Sequence, residues 1–152
     1  MSDLVLKNFE MTRSLFLKKL EGISQESSLI YPEGFNNHIL WNIGHVLTST
    51  EQFMFGFPHK TANLPAHYVE LFGMGTKPAD WQDDVPTLQV LIEQLKDQVT
   101  RLKEIPTEKL NEHLTKPFLG IETYGELANF ALFHEAHHLG QIHLMKRLVE
   151  KN

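Results

Sequence analysis

Apolar residues recur at helical spacing in four segments of the chain and predict four long helices. The first predicted helix covers about residues 2–20, starting at Ser2 or Asp3, and ends before Gly22. Its apolar face is predicted to be Leu4, Met11 and Leu15. The second begins after Asn36 or Asn37, either of which can cap it, and continues to about Phe55.

The third and fourth predicted helices carry clearer start signals. The third begins at Pro86, whose fixed φ suits the first helical position. One stripe of this helix is apolar: Leu88, Leu91, Ile92, Leu95, Val99 and Leu102. The fourth begins at Thr123, with Glu126 at the capping-box spacing, and runs nearly to Glu150.

No segment alternates apolar and polar residues at period two, so no strand is predicted. The expected fold is all-α, a four-helix bundle that forms one domain over residues 1–152, with long connections between the helices. The longest connection, 57–85, exceeds the usual bundle loop, and its PAHYVELF segment predicts a short helix.

Composition excludes several classes of function. The chain has 19 acidic and 14 scattered basic residues and a net charge of -5, which argues against a nucleic-acid partner. It has no cysteine, so any thiol in its chemistry must come from a substrate. No apolar run reaches the ~20 residues of a membrane span, and the charged N-terminus is unlike a signal peptide. We therefore expect a cytoplasmic protein without a membrane partner.

The segment ALFHEAHHLGQIH, residues 131–143, contains four histidines. At about 100° per residue, one face of the fourth helix holds Leu127, Ala131, His134, His138, Gln141, Ile142, Met145 and Val149. Two imidazoles one turn apart on such a face need partners for their ring nitrogens, and their spacing allows both to bind one metal ion. His137 and His143 are predicted to lie on the flank and the opposite surface.

The letters HEAHH also fit the HExxH pattern of zinc metalloproteases, with Glu135 as general base. The metzincin continuation would need glycine at position 141 and histidine at position 144, whereas the chain has Gly140 and His143. The expected lack of strands also disfavours a protease, although it stays an alternative. If the protein is not a metalloprotease, Glu135 is predicted to face solvent.

A third ligand would have to come from another helix, and the second predicted helix contains His45. Its face also contains His38, Trp41, Asn42, Ser49 and Gln52. Periodicity leaves two interpretations open, a solvated polar face or a partly buried pocket, and the neighbouring Trp41 favours the pocket.

Three segments, NNHILWNIGHV, LFGMGTKP and ELANFALFHEAHHLGQIHLMKR, resemble the DinB-like (DinB and YfiT-like) superfamily. The resemblance runs over most of the chain. It implies a dimeric four-helix bundle that holds one divalent metal ion per chain with three histidines. Carried over by position, these ligands are His45, His134 and His138.

The resemblance also implies an activity, because some relatives are thiol-dependent S-transferases or isomerases and others are assigned as hydrolases. Three neutral imidazoles leave a divalent ion with open coordination positions, which is typical of catalytic sites. Zinc and nickel are the first expectations, and manganese and iron also accept such ligands. Gln141, one turn beyond His138, is predicted to orient an imidazole or a bound small molecule. The alternative is a non-catalytic dimeric scaffold that the metal stabilises.

Overall fold

The computed structural model describes residues 2–57, 59, 61–82 and 84–150, and this part is mostly helical. Its α-helices are α1 (Ser2–Leu20), α2 (Gln25–Ser28), α3 (Ile39–Glu51), α4 (Tyr68–Phe72), α5 (Leu88–Lys103) and α6 (Tyr124–Glu150). A π-helical turn, Gln52–Gly56, extends α3, and 3₁₀ turns cover Pro78–Asp80 and Thr107–Asn111. An antiparallel hairpin of β1 (His113–Phe118) and β2 (Ile121–Thr123) precedes α6. No helix in the described ranges is both long and apolar enough to cross a membrane.

The four long helices, α1, α3, α5 and α6, surround a common core. α6 packs against both α1 and α3, and α5 contacts the same two helices. The main core cluster includes Phe16, Leu47, Leu91 and Ile142, one residue from each long helix. α4, the short helix predicted from PAHYVELF, lies against α3. The mostly helical fold agrees with the predicted all-α class.

The prediction that the chain has no strand is wrong for the hairpin before α6. In β1 only Leu114 is buried, and the other residues are exposed or half-buried. The strand therefore lacks the alternation of apolar and polar residues by which a strand is predicted. The turn between the strands has positive φ at both central residues, 50° at Leu119 and 80° at Gly120. Two such residues give a turn whose twist suits antiparallel strands. The hairpin therefore depends on its turn more than on a buried face.

The predicted apolar face of α1 is wrong. Leu4, Met11 and Leu15 are 57%, 57% and 52% exposed. Among residues 4–20, α1 buries Val5, Phe9, Arg13, Phe16 and Leu20. Both faces carry apolar residues, and the face with two phenylalanines removes more apolar area from water. The α1 helix therefore turns its phenylalanines inward.

The start of α3 also differs from the prediction of an Asn36 or Asn37 cap. His38 is the capping residue, because its ring Nδ1 accepts a hydrogen bond from the Trp41 amide at 3.1 Å. The side-chain oxygen of Asn37 instead accepts a hydrogen bond from the Asn42 amide group at 3.0 Å. Asn37 thus supports a residue within α3 rather than the helix end.

The remaining helix starts are partly as predicted. α5 begins after Thr87, whose hydroxyl accepts a hydrogen bond from the Val90 amide, so the predicted start at Pro86 is two residues early. The capping box of α6 is confirmed. The Thr123 hydroxyl accepts from the Glu126 amide at 3.2 Å, and the Glu126 carboxylate accepts from the Thr123 amide at 3.0 Å.

A buried polar network connects all four long helices. Arg13 and Glu135 are both 0% exposed and form an ion pair, with Arg13 Nε donating to Glu135 Oε1 at 2.7 Å. Arg13 also donates to Gln98, which in turn donates to Glu51. The guanidinium of Arg101 donates to both carboxylate oxygens of Glu51. Each charge in the network is therefore paired inside the protein.

Candidate metal centre

Three histidines from two helices meet between α3 and α6. His45 comes from α3, and His134 and His138 come from α6. Each offers a ring nitrogen, and these three nitrogens lie within 4.8 Å of one another. His45 Nε2 and His134 Nε2 are 3.0 Å apart. The structure therefore brings together the three residues that the sequence singled out.

Two of the three imidazoles are anchored through Nδ1. His45 Nδ1 lies 2.6 Å from the carbonyl oxygen of Phe72, which can only accept, so this nitrogen carries the proton. His138 Nδ1 lies 2.7 Å from Asn42 Oδ1. The Asn42 amide nitrogen donates to Asn37 and to the His38 carbonyl, which orients Oδ1 toward His138. Both histidines thus present an unprotonated Nε2, the form that binds a metal ion.

A close approach of α4 to α3 supplies the Phe72 carbonyl. A Cβ at position 44 would lie 2.3 Å from the Phe72 ring, so Gly44 is required for this contact. Trp41 covers the other side, since its indole stacks on the His45 ring with centroids 4.6 Å apart. The orientation of His45 therefore depends on α4 and on Trp41, two parts of the molecule outside α6.

The arrangement of the ring nitrogens in the triad fits a set of metal ligands. The Nδ1 atom of His134 is buried and has no hydrogen-bond partner within the described residues. His134 Nε2 faces the lone pair of His45 Nε2 at 3.0 Å. Nitrogens that bind one zinc ion in tetrahedral geometry lie about 3.4 Å apart, close to this separation. A divalent cation bound to the Nε2 atoms would satisfy their lone pairs, and Nδ1 of His134 would then be the protonated ring nitrogen.

Burial keeps the triad neutral. The pKa of His134 is lowered to about 4, first by burial and then by His45 and His137. The pKa of His138 is lowered to about 3, first by burial and then by the neighbouring histidines His134, His45 and His137. Burial also lowers the pKa of His45, partly opposed by its hydrogen bond to Phe72. The imidazoles are consequently available as ligands at neutral pH without losing a proton.

These shifts predict that metal-free protein loses stability in mild acid. In the unfolded chain the histidines titrate near 6.5, so between about pH 6.5 and about 4 the unfolded state binds more protons and acid favours unfolding. Urea unfolding at about pH 7 and about pH 5 measures the loss. The loss should be smaller in His138→Ala and unchanged in His143→Ala, which removes an exposed histidine. An equal loss in His138→Ala would contradict the buried neutral state of His138.

Comparison with known proteins identifies the family. The sequence model of the DinB superfamily matches residues 8–142, most of the chain. The chain belongs to the DinB superfamily. A crystal structure described as a conserved protein from Enterococcus faecalis has the same fold as this DinB protein, with a TM-score of 0.71. The two are 18% identical, and the alignment covers 100% of this chain and 98% of that one. No curated protein matches the sequence significantly.

Other histidines and Gln141 lie outside the triad of this DinB protein. His143, predicted on the opposite surface, is exposed, and so is His137, which was predicted on the flank of the ligand face. The amide nitrogen of Gln141 lies 2.9 Å from His137 Nε2. The Gln141 side chain therefore contacts a histidine on the rim of the triad, and its effect on a bound molecule stays a prediction.

The environment of Glu135 distinguishes this DinB protein from an HExxH metalloprotease. Glu135 was predicted to face solvent, but it is buried on the α1 side of α6. Both of its carboxylate oxygens accept hydrogen bonds from Arg13, at 2.7 and 3.1 Å. A general base must reach a water beside the metal, and this carboxylate is fully engaged elsewhere. The geometry thus gives Glu135 a structural contact instead of the protease role.

Sequence reasoning missed two groups that orient the triad, the Phe72 carbonyl and the Asn42 side-chain oxygen. Helical periodicity places Asn42 on the face of His45, but it does not indicate the hydrogen bond between Asn42 and His138 on another helix. The sequence shows only that Asn42 shares a helix face with His38 and His45, and its burial is apparent only in the structure. The Phe72 carbonyl has no signal in the sequence, because a backbone acceptor is present at every residue.

Replacing Asn42 by leucine should weaken metal binding about 10- to 100-fold, because His138 loses the acceptor that fixes its protonated nitrogen. Competition with a chromophoric chelator measures the affinity, and circular dichroism checks the fold. Asn42→Asp keeps an oxygen acceptor near His138 and should bind more tightly than Asn42→Leu. Equal affinities for the leucine variant and the unmodified protein would show that Asn42 does not position the ligand.

Proposed function

We propose that this DinB protein, an all-α four-helix bundle with long connections, is a metal-dependent enzyme. The proposed ligands of one divalent ion are His45, His134 and His138, and the proposed reaction is transfer of a small thiol to an electrophile, or hydrolysis of one. The convergence of three neutral ring nitrogens is the observation that supports this function most. Zinc and nickel are the proposed metals, with manganese and iron also compatible with imidazole ligands.

The chemistry requires a metal and access to it. His45, His134 and His138 would hold a divalent cation and leave coordination positions open, where the cation would stabilise the anion of a thiol or water near neutral pH. His134 is only partly buried, whereas His45 and His138 are 6% and 7% exposed. We therefore expect a small substrate to approach from the side of His134. The side chains of His137 and Gln141 lie on this part of α6.

The test uses chelator-treated protein that is reloaded with each metal. A panel of low-molecular-weight thiols is combined with small electrophiles, and thiol consumption and hydrolysis are measured separately. We expect turnover that requires metal and disappears in His138→Ala. In Gln141→Ala we expect turnover to fall more than metal occupancy. Metal binding without turnover on any substrate would contradict the proposed enzymatic function.

The alternative function is a metal-stabilised scaffold without turnover. It is favoured by the position of the triad, since one ion there would join α3 to α6. A scaffold should gain thermal stability on metal addition, as an enzyme would, but would show no reaction in the thiol panel. The panel therefore separates the two functions.

We also propose that the protein forms a homodimer through α1 and α6. Exposed apolar side chains occur on both helices, with Leu4, Met11 and Leu15 on α1 and Phe133 and Leu144 on α6. Clusters of exposed apolar side chains commonly mark an interface. Light scattering at micromolar concentration should give twice the chain mass, and Leu15→Glu should shift it toward the monomer. A monomeric mass for the unmodified protein would exclude this dimer.

A further inference from the structure

The segment LFGMGTKP, residues 71–78, contains the end of α4 and a tight turn after it. The Thr76 amide donates to the Gly73 carbonyl at 3.1 Å and closes this turn. The third residue of the turn, Gly75, has a φ of 84°, which a side chain would disfavour, and Met74 at the tip is 90% exposed. The turn therefore needs glycine at position 75 and returns Thr76 to the end of α4.

The Thr76 hydroxyl connects this turn to α3. It accepts a hydrogen bond from the indole Nε1 of Trp41 at 3.1 Å. It lies 2.7 Å from the carbonyl oxygen of Gly73, to which it donates its own proton. One hydroxyl thus joins Trp41 on α3 to Gly73, the residue that follows Phe72.

Both ends of this connection contact the His45 ring. The Trp41 indole stacks on it with the two planes 10° apart, and the Phe72 carbonyl oxygen lies 2.6 Å from its Nδ1. The first contact fixes the plane of the imidazole, and the second fixes the direction of one nitrogen. Trp41 is 7% exposed, so water has little access to replace the Thr76 oxygen at the indole N–H group.

We propose that Thr76 is a positioning residue of the triad, whose hydroxyl holds His45 in the orientation that presents Nε2. This inference rests on the proposed function, in which His45 is a metal ligand. Thr76 acts through Trp41 and through the end of α4. A ring that is already oriented binds a metal ion more tightly, because less freedom is lost on binding.

Proton exchange measured by heteronuclear NMR tests the positioning in chelator-treated protein, without any metal. The Nδ1 proton of His45 and the indole proton of Trp41 should exchange slowly, because both are buried and hydrogen-bonded. Thr76→Val removes the hydroxyl at nearly constant shape and should accelerate both exchanges by about threefold to tenfold, the effect of one hydrogen bond. Thr76→Ser keeps a hydroxyl and should restore slow exchange.

Trp81 supplies an internal reference for this measurement. Its indole Nε1 donates to the Leu71 carbonyl at 2.9 Å, and this bond does not require the Thr76 hydroxyl. Exchange of the Trp81 indole proton should therefore stay unchanged in Thr76→Val, whereas a general loss of stability would accelerate it as well. Met74→Ala, which alters the exposed tip of the same turn, should change none of the three exchange rates.

Zinc affinity, measured by competition with a chelator, is the second readout. Thr76→Val should bind zinc about threefold to tenfold more weakly than the unmodified protein. Thr76→Ser should restore the affinity, and Met74→Ala should leave it unchanged.

Three results would overturn the proposal: unchanged exchange of the His45 and Trp41 protons in Thr76→Val, an equal acceleration of the Trp81 proton, or zinc affinity in Thr76→Val equal to that of the unmodified protein. The expected exchange rates in a protein that binds no metal would support the positioning of His45 and would overturn the proposed function instead.

Discussion

The unmodified protein should bind about one divalent ion per chain, and alanine at His45, His134 or His138 should abolish this binding. Loss of a ligand should lower the affinity by more than about 100-fold, because loss of a group that merely orients a ligand already costs 10- to 100-fold. Elemental analysis after gel filtration measures occupancy, and competition with a chelator measures affinity.

The control for this experiment is His143→Ala on the same helix. His143 is exposed and lies outside the triad, so its replacement should leave occupancy unchanged. His137→Ala is a closer control, because its ring centroid lies 5.2 Å from that of His138. Full occupancy in His134→Ala would contradict the ligand assignment.

The second large effect concerns stability. Glu135→Gln should destabilise the protein by about 3–5 kcal/mol, because it leaves the buried charge of Arg13 without its counter-charge. Both side chains are 0% exposed, so water does not replace the lost partner. Urea unfolding of metal-free protein measures the change. Since Glu135 contacts no ligand nitrogen, metal stoichiometry should be retained under conditions where the variant is folded.

Two further variants make this test specific to the buried pair. Glu150→Gln removes an exposed carboxylate from the same helix and should change stability by less than about 0.5 kcal/mol. Replacing both members, Arg13→Met with Glu135→Leu, should recover part of the loss because no unpaired charge stays buried. A Glu135→Gln variant as stable as Glu150→Gln would contradict the importance of the pair.

The helices that were well predicted are those whose local signals agree. Thr123 and Glu126 mark the start of α6 by hydrogen bonds between residues three apart, and such contacts follow directly from the sequence. The i, i+4 spacing of His134 and His138 likewise places both imidazoles on one face of any helix. These features depend on neighbours along the chain, so sequence alone determined them.

The rotation of α1 and the environment of Glu135 needed the tertiary structure. α1 has apolar residues on two faces, and only packing against α5 and α6 decided that Phe9 and Phe16 are buried. Glu135 lies about 100° around α6 from its neighbour His134, which turns it toward α1 and Arg13. A charged residue on a helix is exposed or buried according to what covers that face.

The histidine triad was likewise determined partly by the sequence and partly by the packing of the helices. Sequence determined that His134 and His138 share a face, and family resemblance pointed to His45, whose helical periodicity fitted either a solvated face or a pocket. Only the packing of α3 against α6 brought His45 Nε2 to within 3.0 Å of His134 Nε2. The anchors of the triad, the Phe72 carbonyl and Asn42, lie 27 and 96 residues from the histidines that they contact. Local sequence specifies helices and their faces, whereas contacts over such separations exist only after the helices pack.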